Sequence, residues 1–250
     1  MARYGMVIDL DRCTGCRTCM EACKTENNTP QGVFWMHVFR FEEGTYPNTR
    51  VRFMPRPCMH CENPPCVKAC EACTAKPSPR YKRADGLVAT DWEKCIGCRY
   101  CDAACPYGVN YFNWKDPKQN YYLNWEAEEL KPVTGLAVPA YKNPELDQPM
   151  KDQRRTAGGG HKVRVIEKCT FCVHRVEKGL TTACAQACSI NAIFFGDLDD
   201  PKSEVSRLLR DKRAFRLRED FGTSPKVYYI SSAPLAAGSR QIEKIKVGGA

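Results

Sequence analysis

Seventeen cysteines in a chain of 250 residues dominate the chemistry open to this sequence. Sixteen of them fall into four groups of four: Cys13, Cys16, Cys19 and Cys23; Cys58, Cys61, Cys66 and Cys70; Cys95, Cys98, Cys101 and Cys105; and Cys169, Cys172, Cys184 and Cys188. The first and third groups share the spacing CxxCxxCxxxC and also repeat in text, CTGCRTCMEAC against CIGCRYCDAAC. The second and fourth keep the leading CxxC and the closing CxxxC, and only the spacer between varies. Three closely spaced thiolates can wrap a loop around three irons of one cubane cluster, while a fourth, carried off on a short helix, points toward a different cluster. One group therefore does not complete one site, and four groups work as two reciprocal pairs.

Two other cysteine chemistries compete with this reading. Structural zinc takes two CxxC knuckles separated by a dozen or more residues, and the fourth group taken alone fits zinc or iron equally well. Zinc gives no reason for the CxxCxxCxxxC runs, and a disulfide scaffold does not accommodate so many cysteines at one-turn spacing. The whole set predicts four [4Fe-4S] clusters held by the sixteen cysteines. Cys73 stands outside the pattern. It could replace Cys70 as a ligand, but Cys70 keeps the spacing of the other groups, so Cys73 is expected to be a small buried residue and not a ligand. His60 and His174 lie beside cysteine groups and, with all ligand places filled, are expected to hydrogen-bond or to face solvent.

The formal net charge of +9 would ordinarily raise nucleic acid or an anionic membrane surface as a partner. An oxidised cubane with four thiolates carries roughly −2, so four sites supply about −8. The Lys and Arg excess therefore reads as compensation for buried thiolate charge, with no nucleic-acid partner expected, and Arg240, Lys244 and Lys246 as part of a solvated tail. No apolar run approaches the length of a bilayer span, and the first residues lack the pattern of a secretory signal, which predicts a soluble subunit. Seventeen Gly, 17 Pro and a mean hydropathy of −0.51 point to many loops. Metal ligation is then a needed source of cohesion.

The elements that must carry these cysteines are short. Strands are expected at Tyr4 to Leu10, His37 to Phe41, Val51 to Met54, Leu87 to Thr90, Val109 to Phe112, Val163 to Glu167 and Lys226 to Ile230. Met20 to Lys24 and Asp102 to Ala104 suit single helical turns, with Pro106 ending one of them. Asp200 and Pro201 predict the N-cap and first position of a helix running to about Arg210. Residues 115 to 160 form an insertion whose aromatics (Tyr121, Tyr122, Trp125) suit either a docking surface or a loop packed on its own side chains. The fold class is α+β: short strands, short helices and long loops around clusters that serve as the core.

Four segments carry a family resemblance: GMVIDLDRCTGCRTCMEACKTENNTP, CMHCENPPCVKAC, EKCIGCRYCDAACPYG and EKCTFCVHRVEKGLTTAC. Over about residues 3 to 230 the chain resembles the iron–sulfur subunits of complex molybdopterin oxidoreductases, such as the dimethyl sulfoxide, polysulfide, tetrathionate and respiratory arsenate reductases. A similar module is fused within alternative complex III. The resemblance implies two pseudo-symmetric bacterial-ferredoxin-like modules, each with two [4Fe-4S] clusters: residues 1–57 with 161–200, and residues 58–114. Residues 115–160 are then an insertion loop and 201–250 a C-terminal helix, strand and tail. It also implies the ligand sets. Cys13, Cys16 and Cys19 join Cys188; Cys169, Cys172 and Cys184 join Cys23; Cys58, Cys61 and Cys66 join Cys105; and Cys95, Cys98 and Cys101 join Cys70. Some relatives lose a cysteine of the third group and carry a three-iron cluster there, but Cys98 is present here. Glu71 and Ser189 stand where the family often has Pro, and Cys73 where it often has Gly, which bears on loop geometry and potentials.

The implied role is a relay between a molybdenum- or tungsten-pterin catalytic subunit and a quinone-linked membrane subunit, with no acid, base or nucleophile of its own. The implied location is the outer face of the cytoplasmic membrane, reached by partner-mediated export, with the cytoplasmic face as the alternative. The rival functions are a free-standing polyferredoxin, the iron–sulfur module of an alternative complex III-like quinol oxidoreductase, and a zinc-ribbon module.

Overall fold

The computed structural model describes residues 2–30, 32–114, 150–152, 154 and 161–233. Most of the insertion, including its aromatic cluster, and the basic C-terminal tail lie outside the described residues.

The first strand, β1 (Tyr4–Asp9), is central in a four-stranded sheet, and Met6, Val7 and Ile8 are fully buried. On one side it pairs antiparallel with β8 (Ile193–Asp197), and on the other it runs parallel to β10 (Val227–Ile230), which pairs with β9 (Ala214–Phe215). Alternation along the strand sends Met6 and Ile8 into the main core and Val7 into a smaller cluster with Ile230 and Val205. The consequence is positional: β1 leads directly into the first cysteine group and β8 follows directly on the fourth, so the sheet sets these distant groups side by side.

A long hairpin follows, β2 (His37–Thr45) and β3 (Asn48–Arg56). It extends well beyond the two short strands expected there. The inner half buries Val38, Phe39 and Met54, while in the outer half Glu43 bridges Arg50 and Arg52, so its polar text still forms ladder. Two smaller ladders complete the sheets: β4 (Arg80–Lys82) with β5 (Val88–Thr90), and β6 (Tyr111–Phe112) with β7 (Ile166–Glu167). The last two are shorter than the sequence suggested.

Most helices follow cysteine spacing. Helix α1 (Thr18–Asn27) is longer than the single turn expected and turns Cys19 and Cys23 inward, one helical turn apart. Helix α2 (Pro65–Cys73) begins on a proline, which has no amide hydrogen to leave unpaired, and places Cys66 and Cys70 in the same relation. Single turns α3 (Tyr100–Ala103), α4 (Val173–Val176) and α5 (Ala183–Gln186) carry or follow the remaining groups. Helix α6 (Glu204–Leu208) corrects one expectation: its N-cap is Ser203, whose Oγ accepts from the Ser206 amide at 3.2 Å. Asp200 is committed to a turn, accepting from the Lys202 amide at 2.8 Å, so Pro201 lies ahead of the helix rather than in it.

Candidate metal centres

Each CxxC turn has the same backbone device. The residue just before its second cysteine takes positive φ: Gly15 at 72°, His60 at 42°, Gly97 at 70° and Phe171 at 53°. At Gly15 an added Cβ would meet the Phe53 ring at 2.2 Å, and at Gly97 it would meet the Arg164 carbonyl oxygen at 2.0 Å, so only glycine fits. His60 and Phe171 hold this costly conformation with full side chains, so their surroundings must impose it. Arg17 (φ 63°, ψ 4°) and Arg99 (φ 62°, ψ 6°) then launch α1 and α3 in matching conformations. The repeat in text is a repeat in backbone.

The cysteines meet across groups. Cys13, Cys16, Cys19 and Cys188 line one cavity, and Cys58, Cys61, Cys66 and Cys105 line another. Cys23, carried inward by α1, has Cys169, Cys172 and Cys184 as its sulfur neighbours. Cys101 has Cys66, Cys70 and Cys95. Burial, reinforced by neighbouring sulfurs, pushes the Cys19 thiol up to about 12, and Cys23 and Cys169 well above their ordinary value. Closely packed thiols in so dry a setting do not ionise together without a cation to replace the protons, which is the chemistry of a metal–thiolate site. Among the described residues no three His, Cys, Asp or Glu side chains converge on a point that would hold a single ion. Sulfurs set around a cavity suit a cubane, whose irons are bound one thiolate each.

These sets adjoin one another in order. Cys19 neighbours Cys184, Cys169 neighbours Cys58, and Cys66 neighbours Cys101. Cys16 and Cys98 are exposed, whereas Cys23, Cys58, Cys61, Cys169, Cys172 and Cys184 are buried. Cys73 is exposed, not buried as its sequence suggested, because α2 turns Val67 and Cys70 inward and ends at Cys73. Cys98 and Cys70 are its sulfur neighbours.

Both histidines beside the groups are buried and hydrogen-bonded. The Val88 amide donates to His60 Nδ1 at 3.1 Å, so the ring proton sits on Nε2 and is donated to the Cys169 carbonyl at 2.9 Å. Burial, with Lys168 and Lys226 nearby, holds this imidazole neutral, its pKa well below the usual histidine value. His174 Nε2 lies 2.8 Å from Glu26 Oε1.

Sequence reasoning missed the polar groups around the sulfurs. Asn27 Nδ2 donates to the Cys23 carbonyl at 2.9 Å and lies 3.7 and 3.8 Å from the Cys23 and Cys172 sulfurs. The Ala192 amide donates to Cys188 Sγ at 3.2 Å, and the Phe171 amide to Cys169 Sγ at 3.4 Å. Such donors stabilise negative sulfur. Lys24, buried beside Cys23, donates to Thr29 Oγ1, Pro30 O and Val33 O. Arg80 is fully buried near Cys66. The only sequence signal for these cations was the basic excess itself.

Comparison with known proteins decides what the sulfur sets belong to. A family model described as a 4Fe-4S dicluster domain matches residues 49–121 and 155–198, and one described as a 4Fe-4S binding domain matches residues 4–25. The arsenate respiratory reductase iron–sulfur subunit of Shewanella sp. (strain ANA-3) is 40% identical over 240 residues, covering 92% of this chain and 97% of its own. The chain belongs to this family of iron–sulfur subunits. A selenate reductase subunit of Mesobacillus selenatarsenatis is 40% identical, covering 90% of this chain and 71% of its own length. The menaquinone reductase iron–sulfur cluster-binding subunit of Nitratidesulfovibrio vulgaris is 36% identical, covering 99% and 96%. As an iron–sulfur subunit, the protein carries [4Fe-4S] clusters in ferredoxin-like domains and relays electrons through them. No helix among the described residues is long and apolar enough to cross a membrane.

Proposed function

We propose that the sixteen cysteines hold four [4Fe-4S] clusters in one line. In order, the sets are Cys13, Cys16, Cys19 and Cys188; Cys23, Cys169, Cys172 and Cys184; Cys58, Cys61, Cys66 and Cys105; and Cys70, Cys95, Cys98 and Cys101. The observation that carries this reading is the succession of neighbours, Cys19 to Cys184, Cys169 to Cys58 and Cys66 to Cys101, with exposed cysteines only in the outer two sets and at Cys73. When bound, each cluster accepts and returns one electron. The protein's own work is to space the sites, exclude water most completely from the second, whose four cysteines are all buried, and bias each by the donors and charges around its sulfurs. The matched turns at Gly15 and Gly97, and at His60 and Phe171, support two pseudo-symmetric modules, residues 1–57 with 161–200 and residues 58–114, followed by the insertion 115–160 and the C-terminal segment 201–250.

On this reading the chain connects a molybdopterin catalytic subunit at one exposed end with a quinone-linked membrane partner at the other. The names of the arsenate, selenate and menaquinone reductase relatives support a place in a reductase complex, and the location we propose is the outer face of the cytoplasmic membrane, with the cytoplasmic face as the alternative. Purification from the native membrane under mild detergent tests it. The expected result is co-elution with a pterin-containing subunit and a membrane protein, and loss of substrate-to-quinone electron flow when this chain is deleted. A fully loaded chain that elutes alone and exchanges electrons with soluble carriers would make it a free polyferredoxin instead.

A further inference from the structure

Arg80 opens β4 in the sequence PSPRYKRADG, where three basic residues in four look like a solvated strand edge. Its guanidinium is instead completely removed from solvent. Nε donates to Thr90 Oγ1 at 3.1 Å and Nη1 to Asn110 Oδ1 at 2.6 Å. The amide of Asn110 in turn donates to the Cys101 carbonyl at 3.1 Å. These partners are neutral, and among the described residues Nη2 has no oxygen acceptor. A buried cation with neither a carboxylate nor a full set of acceptors is unfavourable unless negative charge lies close by. Sulfur supplies that charge: Cys66 accepts a hydrogen bond from the Arg80 side chain, Cys101 and Cys58 lie alongside, and Asn110 lines the same cavity as Cys58, Cys61 and Cys66. Cys58 and Cys66 belong to the third sulfur set and Cys101 to the fourth.

We infer that Arg80 is a tuning residue: a fixed positive charge set between the third and fourth clusters, which raises the reduction potential of both relative to the first two. The physical reason is direct. Reduction adds one negative charge to a cluster, a neighbouring cation stabilises the reduced form more than the oxidised one, and a dry interior screens the interaction weakly. Thr90 and Asn110 hold the guanidinium in place while leaving its charge for the sulfurs. Arg80 would thereby favour the electron's residence in the 58–114 half of the chain.

The inference rests on the four-cluster assignment, and iron content tests that assignment separately. The decisive experiment is EPR-monitored redox titration of the loaded protein and of Arg80→Met, Arg80→Lys and Asn110→Asp. With iron content at the wild-type level, Arg80→Met is expected to move two of the four midpoint potentials downward and leave two in place. Arg80→Lys, which keeps the charge, should stay closer to wild type than the methionine variant. Asn110→Asp sets a carboxylate against the guanidinium without removing it and should lower the same two potentials, so it carries the test if the methionine variant loses iron. Unmoved potentials, a uniform shift of all four, or an equal shift in the lysine and methionine variants would overturn the inference. A protein with only two clusters would instead defeat the assignment beneath it.

Discussion

The imidazole of His60 lies stacked on the ring of Phe171, with centroids 3.9 Å apart and planes inclined by 23°. Both residues occupy the same place in their CxxC turns, both have positive φ, and both are buried. Their contact joins the second and fourth cysteine groups, and the His60 hydrogen bond to the Cys169 carbonyl fixes it. A buried aromatic pair therefore ties the second cysteine group to the fourth, with the Lys168 ammonium donating to the same Cys169 carbonyl.

His60→Leu tests that tie. The substitution preserves apolar bulk but leaves the buried Val88 amide without its acceptor, at a cost of about 1–3 kcal/mol, while the Cys169 carbonyl keeps the Lys168 ammonium as a donor at 3.0 Å. Chemical denaturation of the loaded protein should show a loss of at least that size. A variant as stable as wild type would mean that the turn does not depend on these bonds.

His161 predicts a pH dependence. Its Nδ1 lies 2.7 Å from Glu167 Oε1 and its Nε2 lies 2.8 Å from the Asn27 carbonyl, so both ring nitrogens face acceptors and the imidazolium is favoured. Burial opposes the charge, but Glu167 and these bonds prevail and raise the pKa above 6.5. A raised folded-state value gives a stabilisation that is complete below 6.5 and is lost as pH rises through the folded value. Melting curves across that window should fall with pH in wild type and flatten in Glu167→Gln. Parallel curves would exclude the charged pair.

Asn27→Leu removes a donor aimed at the Cys23 and Cys172 sulfurs. On the proposed assignment, one cluster, that of Cys23, Cys169, Cys172 and Cys184, should become harder to reduce while the other three titrate unchanged, as followed by EPR. A shift spread over several clusters would tell against the placement of Cys23.

How much of this was legible in the sequence depended on the range of the interaction. The cysteine spacing and β1 are local patterns, and both could be read directly. Strand β8 was missed because Ile193–Asp197 is short, and its pairing with β1 bridges the whole chain. The reach of α1 to Asn27 was missed because its last turn is polar, yet Asn27 is buried by partners as distant as Cys172 and His161. Arg80 was the least legible. Nothing in PSPRYKRADG distinguishes the fully buried Arg80 from exposed Lys82 or half-buried Arg83, since Thr90, Asn110 and the sulfurs beside it are brought to it only by the fold.

Six cysteines, Cys19, Cys23, Cys58, Cys61, Cys169 and Cys184, sit inside the main core, packed with aliphatic and aromatic side chains. Iron removal by acid or a strong chelator should therefore abolish cooperative unfolding as well as visible absorbance, because ligation energy is part of the folding energy. An apoprotein that keeps a sharp melting transition would show that the apolar core suffices alone.

Iron and acid-labile sulfide per chain, measured on protein purified without oxygen, tests the central claim most directly. Four [4Fe-4S] clusters predict about sixteen of each. About eight of each, or zinc in place of iron, would contradict the line of four clusters.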